Sequence, residues 1–139
     1  MQSIDLGLVG DSPQATDAAL RKGADMADCI VSTGGVSVGE EDHVKAAVER
    51  LGVLDIWRLA IKPGKPLAFG RVVSKPFFGL PGNPVSTFVT FMMIARPYLL
   101  KSQGLSNIAL PESYGAATFK VSAGARREYL RVRLSYDEA

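Results

Sequence analysis

Residues 29–42 read C-I-V-S-T-G-G-V-S-V-G-E-E-D, and this stretch holds the groups best suited to handling an anion. Gly34, Gly35 and Gly39 follow a short β-branched apolar run and precede a helical pattern that opens at Asp42. Glycines there let the backbone approach a ligand closely, and free loop N–H groups with the positive end of a helix dipole favour a phosphate or similar oxyanion. The spacing of Gly34 and Gly39 is that of G-x-x-x-x-G, but Glu40 and Glu41 stand where a P-loop needs Lys and Ser/Thr. Nor do the glycines fit G-x-G-x-x-G. Taken alone, the stretch fits either an oxyanion site or a tight strand-to-helix turn.

Two further loops carry similar chemistry. Lys62-Pro63-Gly64-Lys65-Pro66 places two lysines on a proline-stiffened segment, which reads as an anion clamp with little freedom to lose or as a solvated turn. Pro81-Gly82-Asn83-Pro84 resembles a helix entry, with Asn83 as cap and Pro84 as the first helical residue. Asp11 follows an alternating segment near the chain start, and Asp11 and Asp42 together could hold Mg²⁺. Single residues say less. His43, the only histidine, sits at a helix start and reads as solvated, and Cys29, the only cysteine, reads as a small buried residue. No nucleophile with a partnered base is visible, so covalent catalysis is not expected.

The elements that must position these loops follow from periodicity. Ile4, Leu6 and Leu8 alternate with Asp5 and Gly7, predicting a strand over residues 3–9. Ser12 and Pro13 then predict a helix running to about Met26. The central strand and glycine loop come next, followed by a second helix whose apolar stripe is Val44, Ala47, Val48 and Leu51. Strands are predicted over 53–61, 67–73 and 77–80. A helix from Pro84 should bury Val85, Phe88, Val89, Met92 and Met93, with Pro97 kinking or ending it and Gly104 as the last stop. Beyond Leu105 a linker leads to strand-like segments at 117–121 and 128–134, the second with Tyr129, Arg131 and Arg133 on one face. In an open, mostly parallel α/β sheet, ligands bind at the carboxyl ends of the strands, so Asp11 and the three loops should meet at one edge.

Composition sets outer limits. The 139 residues, 47% hydrophobic and 22% charged, suit a globular domain, and a net charge of +2 argues for neither nucleic acid nor a membrane surface as partner. No run approaches a membrane span and no signal-peptide pattern opens the chain, so the expected compartment is the cytoplasm.

Three segments together carry a resemblance. S-T-G-G-V-S-V-G-E-E-D, A-I-K-P-G-K-P and G-L-P-G-N-P-V-S are similar to the signature segments of the molybdopterin molybdenumtransferase family, which is related to the carboxyl-terminal domain of gephyrin. The resemblance implies an α/β fold: a partial three-layer α/β/α molybdopterin-binding domain over residues 1–104, then a linker and the start of a small β-barrel domain over 105–139. It also implies that the chain is one segment of a longer protein. The implied activity takes adenylylated molybdopterin and molybdate, cleaves the adenylyl bond with Mg²⁺, leaves molybdenum on the dithiolene and releases AMP. Asp42, Lys62 and Asp11 would be catalytic, with Asp42 and Asp11 handling metal or molybdate. The glycine loop through Gly34, Gly35, Ser37 and Gly39 would bind the substrate, as would Lys65, the loop from Pro81 through Gly82, Asn83 and Pro84 to Ser86, and Arg131 of R-E-Y-L-R. A homodimer or other self-association is implied as well. The alternative reading is a non-catalytic molybdopterin-binding or gephyrin-like scaffold module. Arg58 stands where the family pattern leads one to expect Lys, which keeps the charge but changes its geometry.

Overall fold

The structure is a computed structural model that describes residues 1–36, 43–122 and 124–135, with only the backbone of Ile56 and Trp57. The first helix, α1 (Pro13–Met26), begins where Ser12 caps it: the Ser12 Oγ accepts from the Ala15 N–H at 3.2 Å. Strand β1 (Ile30–Thr33) leads to the glycine loop, and α2 (His43–Leu51) buries Ala47 and Val48 while Val44 and Leu51 pack beside them. After these come β2 (Gly52–Arg58), β3 (Ile61–Lys62), β4 (Pro66–Val72) and β5 (Lys75–Leu80). A long helix closes the sequence of major elements, as α3 (Pro84–Thr90), a π-helical turn (Phe91–Ala95) and α4 (Arg96–Ser102). A short strand, β6 (Arg127–Glu128), pairs in parallel with β3.

The main sheet has the order β1-β5-β4-β2. Alternation along its strands sends side chains into two cores. Phe77, Ala68 and Val72 join Leu20, Ala24, Ile30, Ala47 and Val48 on the α1/α2 face, whereas Phe78, Leu67 and Leu80 join Ala95 on the face of the long helix. Helices therefore cover both faces, giving the expected three α/β/α layers. The sheet is mixed, not mostly parallel: β1 and β5 pair in parallel, but β5 with β4 and β4 with β2 are antiparallel. The short β4-to-β5 connection explains this, since two residues can join only antiparallel neighbours.

Other expectations are corrected. Residues 3–9 form no strand, because the Asp5 Oδ1 accepts from the Gly7 N–H at 2.8 Å and Gly7 takes φ +75°, making a turn in the middle of the alternating run. The strand expected over 53–61 splits into β2 and β3, with Leu59 turned aside to donate its N–H to the Lys65 carbonyl at 2.9 Å. Pro97 does not end the long helix, which continues as α4 to Ser102. The wider π turn lies directly before it, and takes up the missing N–H and the ring's clash with the preceding turn. The helix stops instead at Gly104, φ +85°, where Gly104 N–H bonds to the Lys101 carbonyl and Leu105 N–H to the Leu100 carbonyl.

The helix also turns a different side inward. Phe88 is 66% exposed and Val85 47%, whereas Thr90, Phe91, Ile94 and Ala95 face the core. Last, residues 117–121 form no strand, and of 128–134 only Glu128 belongs to one. Leu130, Val132 and Leu134 stay exposed, since the face they share has nothing described to pack on. No helix among the described residues is long and apolar enough to cross a membrane.

Candidate functional site

The loops beyond the two parallel strands are joined. Gly34, the first residue after β1, donates its N–H to the carbonyl of Leu80 at the end of β5, at 2.9 Å. Gly34 and Gly35 both adopt left-handed backbone, φ +81° and +65°. A Cβ on Gly82 would lie 3.4 Å from the Gly34 Cα, so the two glycine backbones run past each other in near contact. What favours glycine at positions 34 and 35 is the left-handed backbone, not a lack of space between the two loops.

The Pro81–Pro84 loop is held rigidly by the helix it opens. Asn83 Oδ1 accepts from both the Val85 and Ser86 N–H groups at 3.1 Å, Pro84 occupies the first turn, and the Thr87 hydroxyl donates to the Pro81 carbonyl. Pro81 is buried, and Gly82, Asn83 and Pro84 are exposed around the turn. The lysine loop reaches the same helix one turn further on. Gly64, at φ +107°, is buried against Thr90, whose Cγ2 would be 2.6 Å from an added Cβ. The Lys62–Pro63 peptide just before it is cis.

Charged groups are distributed unevenly. Lys65 is exposed and pairs with no described carboxylate, whereas Lys62 Nζ donates to Glu128 Oε1 at 3.0 Å. Asp11 is 90% exposed at its side chain, and its Oδ1 lies 3.9 Å from His43 Nε2 at the start of α2. Asp11, His43, Gly34 and Gly35 share the wall of a cleft of about 550 Å³ that runs between residues 4–11, α1 and β1. Deeper in this cleft Ser32 Oγ is buried with no described hydrogen-bond partner, and burial raises the pKa of the Cys29 thiol.

The structure thus gathers Gly34, Gly35, Pro81, Gly82, Asn83, Pro84 and Ser86 around the start of α3, brings the loop of Lys62 and Lys65 against the side of the same helix through Gly64, and places Asp11 on the far side of the glycine loop. Arg131 is exposed and makes no hydrogen bond or ion pair among the described residues. Ser37, Gly39 and Asp42 lie outside the described residues. Two side chains at the site had little or no sequence signal. His43 read as solvated yet faces Asp11 and the glycine loop, and Glu128, an unremarked acid in R-E-Y-L-R, contacts Lys62 across 66 positions.

Known proteins resemble this chain in sequence and in fold. The profile of the family described as "probable molybdopterin binding domain" matches residues 1–101. A molybdopterin molybdenumtransferase of Haemophilus influenzae is 44% identical over 113 residues, which cover 81% of this chain and 28% of that protein. The molybdenum cofactor synthesis protein cinnamon of Drosophila melanogaster is 43% identical over 70% of this chain and 16% of its own length. Among solved structures, a molybdopterin biosynthesis moea protein from Pyrococcus horikosii aligns with TM-score 0.63 and 34% identity, over 70% of this chain and 24% of that one. The chain therefore spans less than a third of these relatives. With the family profile covering residues 1–101, from before α1 into α4, the chain belongs to the probable molybdopterin-binding domain family.

Proposed function

We propose that this chain forms the core of the substrate site of a cytoplasmic molybdopterin molybdenumtransferase, acting in molybdenum cofactor biosynthesis. The observation that supports this reading is the approach of three loops to α3: the glycine and proline loops at its start, tied by the Gly34–Leu80 hydrogen bond, and the lysine loop along its side, through Gly64 against Ser86 and Thr90. The Gly34 N–H is committed to the Leu80 carbonyl, so the pterin's phosphate binds the loop amides that follow it, beginning at Gly35, where left-handed backbone opens a surface to an anion. Lys65, exposed on its stiff loop, offsets the charge of the adenylyl phosphate or of molybdate. Molybdate is a substrate here, and its sulfur ligands come from the dithiolene of molybdopterin, so the lone Cys29 has no ligating part. AMP leaves when the adenylyl bond is cleaved.

Mg²⁺ belongs to the same proposal through Asp11 and Asp42, but the described residues do not by themselves make a metal site. No group of three or more His, Cys, Asp or Glu among them could hold an ion, and Asp11 has only His43 beside it. Self-association is part of the reading too, supported by the exposed apolar side chains Val85 and Phe88 on the long helix.

The test is titration of adenylylated molybdopterin and of molybdate against the wild-type chain and Lys65→Glu. Reversing a charge that hydrogen-bonds an anion should weaken binding about tenfold or more, and wild-type affinity should fall as salt rises. Equal affinities, insensitive to salt, would show that the loop is only a solvated turn.

A further inference from the structure

Of the two lysines on the site loop, one is already occupied. Lys62 Nζ lies 3.0 Å from Glu128 Oε1, while Lys65 meets no described carboxylate. The acid reaches Lys62 because β6 lies on β3 in parallel, with Ile61 opposite Arg127 and Lys62 opposite Glu128. Arg127 N–H donates to the Ala60 carbonyl at 3.2 Å and Tyr129 N–H to the Lys62 carbonyl at 2.7 Å, so the backbone sets the register that brings the side chains together. The Arg126 guanidinium adds a weaker bond to the Ile61 carbonyl at 3.4 Å. On either side of this clasp, residues 111–122 and 130–135 are exposed throughout. A segment held by so few bonds is a strap that can lift from the loop.

We propose that Glu128 is a built-in competitor for the anion site, its carboxylate standing on Lys62 where an oxyanion of the substrate would bind. This rests on the reading of the lysine loop as an anion clamp and adds a regulator to it. An ammonium has three donors, but a second anion beside the carboxylate meets like-charge repulsion, so binding at Lys62 requires Glu128 to release. The two side chains are 57% and 21% exposed, which makes this a weak surface pair. It lowers affinity for weak or small anions and yields to a substrate that makes contacts elsewhere in the site. Discrimination is the consequence. A free anion such as phosphate gains Lys65 alone, whereas a substrate anchored by the glycine loop displaces Glu128 and gains both lysines.

The experiment uses the full chain with inorganic phosphate and molybdate as probes, by calorimetry or equilibrium dialysis at low salt. Glu128→Gln keeps the side chain's shape and removes its charge. It should tighten both anions about two- to fivefold, the range an exposed pair permits, and the gain should vanish when Lys62→Ala is added. A second measurement reads the contact directly: acylation of Lys62 by an amine reagent, followed by mass spectrometry, should speed up in Glu128→Gln while Lys65 keeps its rate. Unchanged or weaker anion binding in Glu128→Gln, or an unchanged Lys62 acylation rate, overturns the proposal. If Lys62→Ala lowers wild-type affinity but Glu128→Gln raises nothing, only the competitor role falls. If Lys62→Ala changes anion binding neither in the wild type nor in Glu128→Gln, the lysine's part in the anion clamp falls with it.

Discussion

Gly34 and Gly35 stand side by side in the left-handed region, yet their surroundings differ. An added Cβ on Gly34 meets nothing within 4 Å, whereas one on Gly35 would lie 2.5 Å from Val44 Cγ2. Alanine at either position carries the backbone cost of that region, about 1–2 kcal/mol. Only at position 35 must the start of α2 also move, and Val44 is β-branched and has few rotamers to offer. Gly35→Ala should therefore lower the denaturation midpoint clearly more than Gly34→Ala. Equal midpoints would mean that α2 yields freely at its first turn. Cys29 adds a second test at this scale. Burial favours its neutral thiol, so alkylation at mildly alkaline pH should be slower in the folded chain than after unfolding.

At the scale of elements, the long helix decides where the loops meet. Its start depends on Asn83, whose one side-chain oxygen caps two backbone N–H groups. Asn83→Ala should cost about 1 kcal/mol and lower the thermal midpoint accordingly. An unchanged midpoint would assign the helix start to Pro84 and packing alone. Further along, the π turn adds a residue to one turn and so rotates α4 relative to α3. This bears on the stripe of Val85, Phe88, Val89, Met92 and Met93: the spacing is helical, but the residues that meet the sheet are Thr90, Phe91, Ile94 and Ala95. An apolar stripe identifies a helix without saying which neighbour covers it.

For the whole molecule, the open surface matters most. Strand β1 ends the sheet order, so one of its edges is unpaired among the described residues, and Val31 on it is 41% exposed. Phe88 adds a second apolar position on the opposite layer. An unpaired edge templates pairing with another chain, and native proteins blunt such edges with charge. Light scattering after size exclusion should find dimers or larger species at tens of micromolar, an order-of-magnitude choice suited to weak pairing. Val31→Lys should reduce them, and Phe88→Ser should do so if the helix face is the contact. A wild-type monomer at that concentration would exclude both surfaces.

Local features were legible in the residues themselves. Ser12 with Pro13, Asn83 with Pro84, the Ala47 and Val48 stripe and the Gly104 stop all depend on groups no more than five positions apart, which a sequence places as surely as a structure does. The glycine, lysine and proline loops were visible for the same reason. Their convergence needed the sheet, because residues 34 and 80 meet only once β1 lies beside β5. Alternation could not say whether strands run parallel or antiparallel, since side chains repeat every two residues either way. It could not show that a turn at Asp5 and Gly7 breaks the first alternating run. Least legible was Glu128 on Lys62: a contact across 66 residues is chosen by the pairing of β3 with β6, and no spacing in the chain encodes that register.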